Sequence, residues 1–323
     1  MKTRVAVIQT SSIPTDAMAC AAKGASLVEQ AAANGAKLVV FPEAFLGGYP
    51  KGCTFGAPVG TRKPEGRDAY ATYYHQAVSP EGPEVAMIIE AARRADVFVV
   101  LGCIERDGGT LYCTVLFIDG KAGLAGKHRK LMPTGAERLI WGFGDGSTMP
   151  TFETPAGRVG AVICWENYMP MLRMYMYSQG IAIYCAPTAD DRDTWLPSMQ
   201  HIALEGRCYV LSACQYLRRD AYPEDFECVL ADGPDSVLLR GGSAIIDPLG
   251  RVLAGPDFTG ETILYADIDP NEITRGKFDF DVTGHYARPD VFQLGVDTRP
   301  KSAVQETGRC DGGQVPRGVE GLR

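Results

Sequence analysis

Four residues of this 323-residue chain could do chemistry together: Glu43, Lys130, Glu137 and Cys164. Cys164 follows the apolar, small-residue run Val159 to Ile163 and precedes the polar turn Trp165-Glu166-Asn167. A short apolar run between turn signals predicts a buried strand, here Val159 to Cys164. A thiol at the end of such a strand sits on rigid backbone and faces the loop side of the sheet, where strand–turn–helix elbows carry nucleophiles. The competing reading is one more buried structural thiol, because cysteine is among the most buried residue types. Glu43, in Phe41-Pro42-Glu43-Ala44-Phe45, lies between bulky apolar residues at a strand end. Desolvation there would raise its pKa and suit it to proton transfer, whereas a loop-facing glutamate would stay ordinary. Lys130 ends the basic run from Lys127 and precedes Leu-Met-Pro, which turns the chain inward. A buried ammonium would lower a nearby thiol's pKa and stabilise negative charge growing on a substrate; a solvated basic run would do neither. Glu137, taken alone, reads as an exposed helix-start carboxylate beside Arg138.

The elements that must position these residues repeat in two halves. Arg4 to Thr10 is predicted as a strand, Asp16 to Ala33 as an alanine-rich helix stopped by Asn34-Gly35, and Lys37 to Phe41 as a second strand. Pro83 to Ala95 carries Val85, Ile88, Ile89 and Ala92 at helical spacing. Val97 to Glu105 and Leu111 to Asp119 form a hairpin about Asp107-Gly108-Gly109. In the second half come strand Val159 to Cys164, helix Pro170 to Gln179, strand Gly180 to Cys185, helix Thr194 to Glu205 and strand Cys208 to Gln215. Strands Ser243 to Ile246, Val252 to Ala254 and Thr262 to Ile268 complete it. Each half reads strand–helix–strand–helix–strand–strand, which implies two mixed sheets with helices on one face of each. Packing the bare faces together gives an α/β fold, a four-layer α-β-β-α sandwich, in one domain over residues 1–295. Gly47 to Ser79 and Tyr216 to Gly242 exceed ordinary loop length and are expected to be functional or interfacial. The tail 296–323 has no periodicity and is expected to be disordered.

Composition bounds the rest. The chain is 46% hydrophobic and 22% charged with net charge −7, ordinary for a globular protein and wrong for a nucleic-acid footprint. No run of about 20 apolar residues predicts a membrane span. The N-terminal apolar stretch is too short for a signal peptide, and ten cysteines without a Cys-x-x-Cys pair read as free thiols in a reducing cytoplasm. Four dispersed histidines give no local zinc motif.

Three stretches, in order, identify a resemblance: Phe41-Pro42-Glu43, His128-Arg129-Lys130-Leu131 and Cys164-Trp165-Glu166-Asn167. Together they resemble the nitrilase superfamily of carbon–nitrogen hydrolases, and to about Val296 the chain is similar to it throughout. Pro133-Thr134 with Glu137-Arg138, Trp141-Gly142, the run Tyr184 to Asp190, and Gly284-His285-Tyr286 resemble the nitrilase branch, in its plant-type and bacterial forms. Tyr168-Met169 after Asn167 departs from the plant pattern, which favours a basic residue there.

The resemblance implies the same sandwich and a Glu–Lys–Cys site: Cys164 as nucleophile, Glu43 as general base, Lys130 stabilising charge and Glu137 as a supporting carboxylate. It implies hydrolysis of a small-molecule nitrile to the acid and ammonia with no metal or organic cofactor, and self-association into homo-oligomers that extend as spirals. An amidase, a carbamoylase or a cyanide-degrading relative would use the same residues. Tyr49, Trp165, Tyr168, Thr188 and Trp195 fall near the ends of the catalytic strands and are expected to line the substrate pocket; such aromatic walls suit aryl or arylalkyl nitriles.

Overall fold

The computed structural model describes residues 2–304. The first half comprises β1 (Thr3–Gln9), α1 (Ala17–Ala33), β2 (Ala36–Val40), α2 (Pro64–Gln76), α3 (Pro83–Ala95), β3 (Phe98–Asp107), β4 (Thr110–Asp119) and β5 (Gly123–Arg129). The second comprises β6 (Phe152–Thr154), β7 (Gly157–Ala161), α4 (Pro170–Ser178), β8 (Ile183–Thr188), α5 (Trp195–Gly206) and β9 (Tyr209–Cys214). The short strands β10 (Tyr216–Arg218) and β11 (Val237–Arg240) follow, then β12 (Ser243–Ile246), β13 (Val252–Asp257), β14 (Thr262–Ile268) and α6 (Pro270–Gly276).

Local chemistry explains the boundaries. The Asp16 side chain accepts from the Ala19 amide at 2.8 Å and starts α1. Cys20, Ala21, Gly24, Val28 and Ala31 form its buried stripe, and Gly35, in the left-handed region, ends it. Pro83 opens α3, where Val85, Ile88, Ala91 and Ala92 are buried.

The first sheet has the order β14-β1-β2-β3-β4-β5 and the second β13-β12-β9-β8-β7-β6. In each, three neighbouring strands are parallel and the outer ones antiparallel. Alternation along the strands sorts the core. Val5, Val7, Leu38 and Val100 of the first sheet pack with Val159, Ile183, Leu211 and Ile245 of the second. Ala6, Ile8, Val39 and Val99 face α1 and α3 instead, while Tyr184, Val210 and Ile246 face α4 and α5. The four layers expected from element order are therefore present, each sheet buried on both faces.

Five details differ from the sequence reading. The basic run Lys127–Arg129 lies in β5, an edge strand whose polar pattern hid it, and β6 is too short to give a periodic signal. The segment Gly47–Ser79 holds helix α2, whose buried side is narrow and whose apolar pattern is correspondingly weak. β14, second-half in sequence, returns to pair with β1. The strand expected to reach Cys164 ends at Ala161, and Cys164 opens a 3-10 turn, Cys164–Tyr168.

The two long segments meet each other. The Val229 amide donates to the Gly52 carbonyl at 3.0 Å, Thr54 Oγ1 donates to Glu227 at 2.6 Å, and the Tyr222 hydroxyl donates to the Tyr49 carbonyl. Beyond Val296, Asp145 Oδ2 accepts from the Lys301 amide at 2.7 Å; residues 305–323 of the expected tail lie outside the described residues. Among the described residues no helix is long and apolar enough to cross a membrane.

One glycine sets the position of Glu43. A Cβ on Gly102 in β3 would fall 2.0 Å from the Pro42 carbonyl oxygen and 2.9 Å from Glu43 Cα. Only glycine lets the turn that carries Glu43 lie against the sheet. Gly102→Ala is expected to cost about 2–4 kcal/mol through this backbone clash, read as a lower midpoint in chemical denaturation, and to displace Glu43. A midpoint equal to wild type would show that the turn has room.

Candidate active site

Glu43, Lys130 and Cys164 each sit just past the C-terminal end of a strand. Glu43 follows β2, Lys130 follows β5 and Cys164 follows β7. The first two come from one sheet and the third from the other, so the site forms where the sheets face each other.

Lys130 is fully buried. Its Nζ lies 2.7 Å from Glu43 Oε1 and 2.8 Å from Glu137 Oε2, and 5.6 Å from the centre of the Trp141 ring. A buried ammonium is tolerated only when paired this closely. The carboxylates are held in turn. Glu137 Oε2 accepts from the Thr134 amide at 2.7 Å, and its Oε1 accepts from the Tyr49 hydroxyl at 2.7 Å. Glu43 Oε1 also accepts from the Cys113 thiol at 3.4 Å. Glu43 Oε2 is buried and has no hydrogen-bond partner among the described residues. The Glu43 backbone is anchored from the other sheet by Gln215, whose Nε2 donates to its carbonyl at 2.8 Å.

The electrostatics follow from burial. Desolvation lifts the Glu43 carboxyl above the usual range despite the pull of Lys130, and Glu137 lifts it further. Burial alone would lower Lys130, but Glu43 foremost, with Cys164, Cys113 and Glu137, holds its ammonium well above the ordinary value. The Cys164 thiol, only 5% exposed, is pushed up to about 12 by burial and then by Glu43; Lys130 and a hydrogen bond from Thr188 work the other way.

Cys164 itself adopts φ 50°, left-handed and costly for a residue with a Cβ. Asn167 Nδ2 fastens this elbow by donating to the Val162 carbonyl at 3.0 Å and the Cys164 carbonyl at 2.7 Å. A second clamp joins the elbow to the lysine strand. His128 Nε2 lies 3.0 Å from Glu166 Oε2, and Nδ1 lies 2.6 Å from the Thr148 carbonyl. Glu166 also accepts from the Leu131 and Ile163 amides. Both histidine nitrogens face acceptors, an arrangement that the imidazolium, donating from both, satisfies and a neutral ring does not. Burial opposes that charge, and Glu166 outweighs it, so the pKa of His128 is raised.

The structure brings all four expected polar residues together, Glu137 included. The expected pocket wall is rearranged. Trp165 and Tyr168 are half-exposed beside the elbow, their rings edge-to-face at 5.8 Å. Tyr49 holds Glu137 instead of standing free. Thr188, at the end of β8, directs its hydroxyl at the Cys164 sulfur, 3.3 Å away. Trp195 is buried under the second sheet, its Nε1 donating to Ser212 Oγ at 2.8 Å, because it is the first core residue of α5. A cleft of about 870 Å³ runs along the long segments between Phe55, Tyr73 and Phe226. It touches the site only through Tyr49. Sequence reasoning assigned no role to Cys113, Gln215, Asn167 or the His128–Glu166 pair; all are buried, and except for Asn167, which bonds within its own elbow, their partners are distant in the chain.

Carbon-nitrogen hydrolase is the family that matches, over residues 4–278. The chain belongs to it. The nitrilase blr3397 of Bradyrhizobium diazoefficiens is 69% identical over 301 residues, 93% of this chain and 94% of that one. The aliphatic nitrilase of Sinorhizobium fredii is 60% identical, covering 94% of this chain and 98% of its own. The bifunctional nitrilase/nitrile hydratase NIT4A of Nicotiana tabacum is 54% identical, covering 94% and 88%. Among solved structures, a Saccharomyces cerevisiae member of branch 10 of the nitrilase superfamily superposes with TM-score 0.67 at 23% identity, over 88% of this chain and 96% of its own. The sandwich is thus that of the carbon–nitrogen hydrolases.

In this member of the family the His128–Glu166 clamp carries a pH signature. Because the folded pKa of His128 is raised, its contribution is complete below the unfolded value of about 6.5 and is lost as pH rises through the folded value. His128→Gln is expected to cost about 3 kcal/mol near pH 6, where it removes the counter-charge of the buried Glu166 carboxylate, with the difference from wild type narrowing toward alkaline pH. Denaturation midpoints at stepped pH test this; a pH-independent difference would mean that the ring is neutral.

Proposed function

We propose that this chain is a nitrilase, converting an organic nitrile to the carboxylic acid and ammonia through a covalent intermediate on Cys164. One observation carries the reading. A buried ammonium lies between two carboxylates beside a thiol on a strained elbow, and one oxygen of Glu43 is left without a partner among the described residues.

Glu43 takes the Cys164 proton as general base; its raised pKa makes that transfer less unfavourable. The sulfur bonds to the nitrile carbon while one C≡N π bond breaks, and the nitrogen gains the proton as Lys130 stabilises its charge, giving a thioimidate. Water adds, ammonia departs and a thioester remains, which a second water hydrolyses to the acid. If the thiolate departs instead of ammonia, the product is the amide. Both Glu137 oxygens are engaged, by Tyr49, Thr134 and Lys130, which supports a role in holding the ammonium rather than in activating water. Trp165 and Tyr168 beside the elbow support aryl or arylalkyl nitriles, against the aliphatic preference in the name of one relative. Nine free thiols among the described residues suit a cytoplasmic setting. The core that both sheets share supports one hydrolase domain over 1–295.

Ammonia release from benzonitrile, phenylacetonitrile, 3-phenylpropionitrile, an aliphatic dinitrile and the matching amides tests the proposal. Wild type is expected to act on nitriles, while Cys164→Ala and Glu43→Gln lose at least about 10³-fold with the fold intact. Activity on amides alone would make the chain an amidase with the same site, and activity surviving in Cys164→Ala would remove the nucleophile. Self-association belongs to the same reading, supported by exposed Val229 and Leu230 on the second long segment. Replacing both by serine is expected to reduce assembly size on gel filtration; an unchanged size would take this segment out of the interface.

A further inference from the structure

We infer that Thr188 is a catalytic residue: its hydroxyl donates to the Cys164 thiolate and, on the nitrilase reading above, biases the product toward amide. Thr188 is fully buried at the last position of β8, the strand beside the nucleophile's own. Its Oγ1 is engaged on both sides. The Asp190 amide donates to it at 2.9 Å, and it lies 3.3 Å from Cys164 Sγ. An amide N–H can only donate, so it occupies a lone pair of Oγ1 and leaves the hydroxyl proton for another acceptor. A thiolate can only accept. The backbone turn after β8 therefore aims the Thr188 O–H at the sulfur before any substrate arrives, which is what preorganised stabilisation of a forming charge requires.

The pocket needs such a donor. Burial and Glu43 both oppose a negative sulfur, and Lys130 and Thr188 favour it. Lys130 already serves two carboxylates, whereas the Thr188 hydroxyl is a neutral donor that faces the sulfur directly. Val in place of Thr keeps the β-branched shape and the strand but removes the proton; Ser keeps the proton.

The sulfur becomes anionic twice. It does so when Glu43 removes its proton, and again whenever a C–S bond breaks. In the tetrahedral adduct of water with the thioimidate, two bonds to carbon compete. If C–N breaks, its electron pair leaves on protonated nitrogen as ammonia and a thioester remains. If C–S breaks, its electron pair leaves on sulfur, the thiolate is regenerated and the amide is released. A hydrogen bond that stabilises the departing thiolate favours the second route. Loss of that bond slows attack and shifts the product toward acid, two effects that a purely structural role would not couple.

The test compares full-length wild type, Thr188→Val and Thr188→Ser in two assays. In the first, the rate of iodoacetamide alkylation of Cys164 is followed at about pH 8 by peptide mass spectrometry, with no substrate present. Thr188→Val is expected to slow it about tenfold, and Thr188→Ser to restore it. In the second, acid and amide are quantified from one aryl nitrile. Thr188→Val is expected to lower kcat/KM by about tenfold or more and to cut the amide fraction, with recovery in Thr188→Ser. An unchanged alkylation rate in a folded Thr188→Val overturns the hydrogen bond. A slowed alkylation with an unchanged or larger amide fraction overturns the role in partition. If wild type releases no ammonia from any nitrile, the nitrilase reading fails, and the alkylation assay still decides whether Thr188 acts on the thiolate.

Discussion

The site depends on a single buried ammonium shared by two carboxylates. Lys130 is among the largest fully buried side chains in the protein, and its charge would be untenable alone. Glu43 and Glu137 answer it within 2.8 Å, but two carboxylates against one ammonium leave one negative charge over. Burial first, and that surplus after it, raises Glu43 and makes free ionisation of Cys164 costly. Moving the thiol proton to Glu43 leaves the net charge of the cluster unchanged. The arrangement thus favours internal transfer over loss of a proton to water, and a thiol that resists ionisation can still be a nucleophile when a carboxylate of raised pKa is its acceptor.

Everything around that cluster serves to hold charges drawn from two sheets at fixed separation. Gly102 lets the Glu43 turn lie flat on the first sheet, and Gln215 reaches from the second to fasten it. His128 on β5 grips Glu166 in the nucleophile's elbow, so the strand that delivers Lys130 and the turn that delivers Cys164 move as one. Tyr49, held by Tyr222 from the other long segment, fixes Glu137 from outside. The long segments thereby act on the site even though their own cleft lies beyond it.

The sequence carried the fold further than it carried the site's supports. Apolar alternation and caps placed α1, α3 and the hairpin β3–β4 almost to the residue, because burial and local hydrogen bonds decide those elements. β5 was invisible because Lys127, His128 and Arg129 form a polar pattern, and its strand character comes from pairing with β4. Glu43, Lys130 and Cys164 were legible as odd residues at strand ends, and the family resemblance made them a site. Glu137 offered only its place three residues after Thr134 at a helix start; its bonds to Lys130 and Tyr49, the second of them 88 residues away, emerge only in the fold. Trp195 misled for the opposite reason, as an aromatic near a catalytic strand that is simply the first core residue of its helix.

On the proposed mechanism the same groups set a competition. Ammonia can leave the tetrahedral adduct only if its nitrogen is protonated, and the carboxyl that shuttles protons on this mechanism is Glu43, whose pKa burial raises. The sulfur can leave only as a stabilised thiolate, and Lys130 and Thr188 are among the groups that favour it. The acid route therefore draws on the carboxyl and the amide route on the donors around sulfur, and Lys130 bears on both because it is bonded to Glu43 and acts on Cys164. A site whose burial and surplus negative charge raise the carboxyl's proton affinity and discourage the thiolate leans toward acid. Each donor added beside sulfur moves it back toward amide, so the product ratio is a property of the cluster's charge balance and not of substrate fit alone.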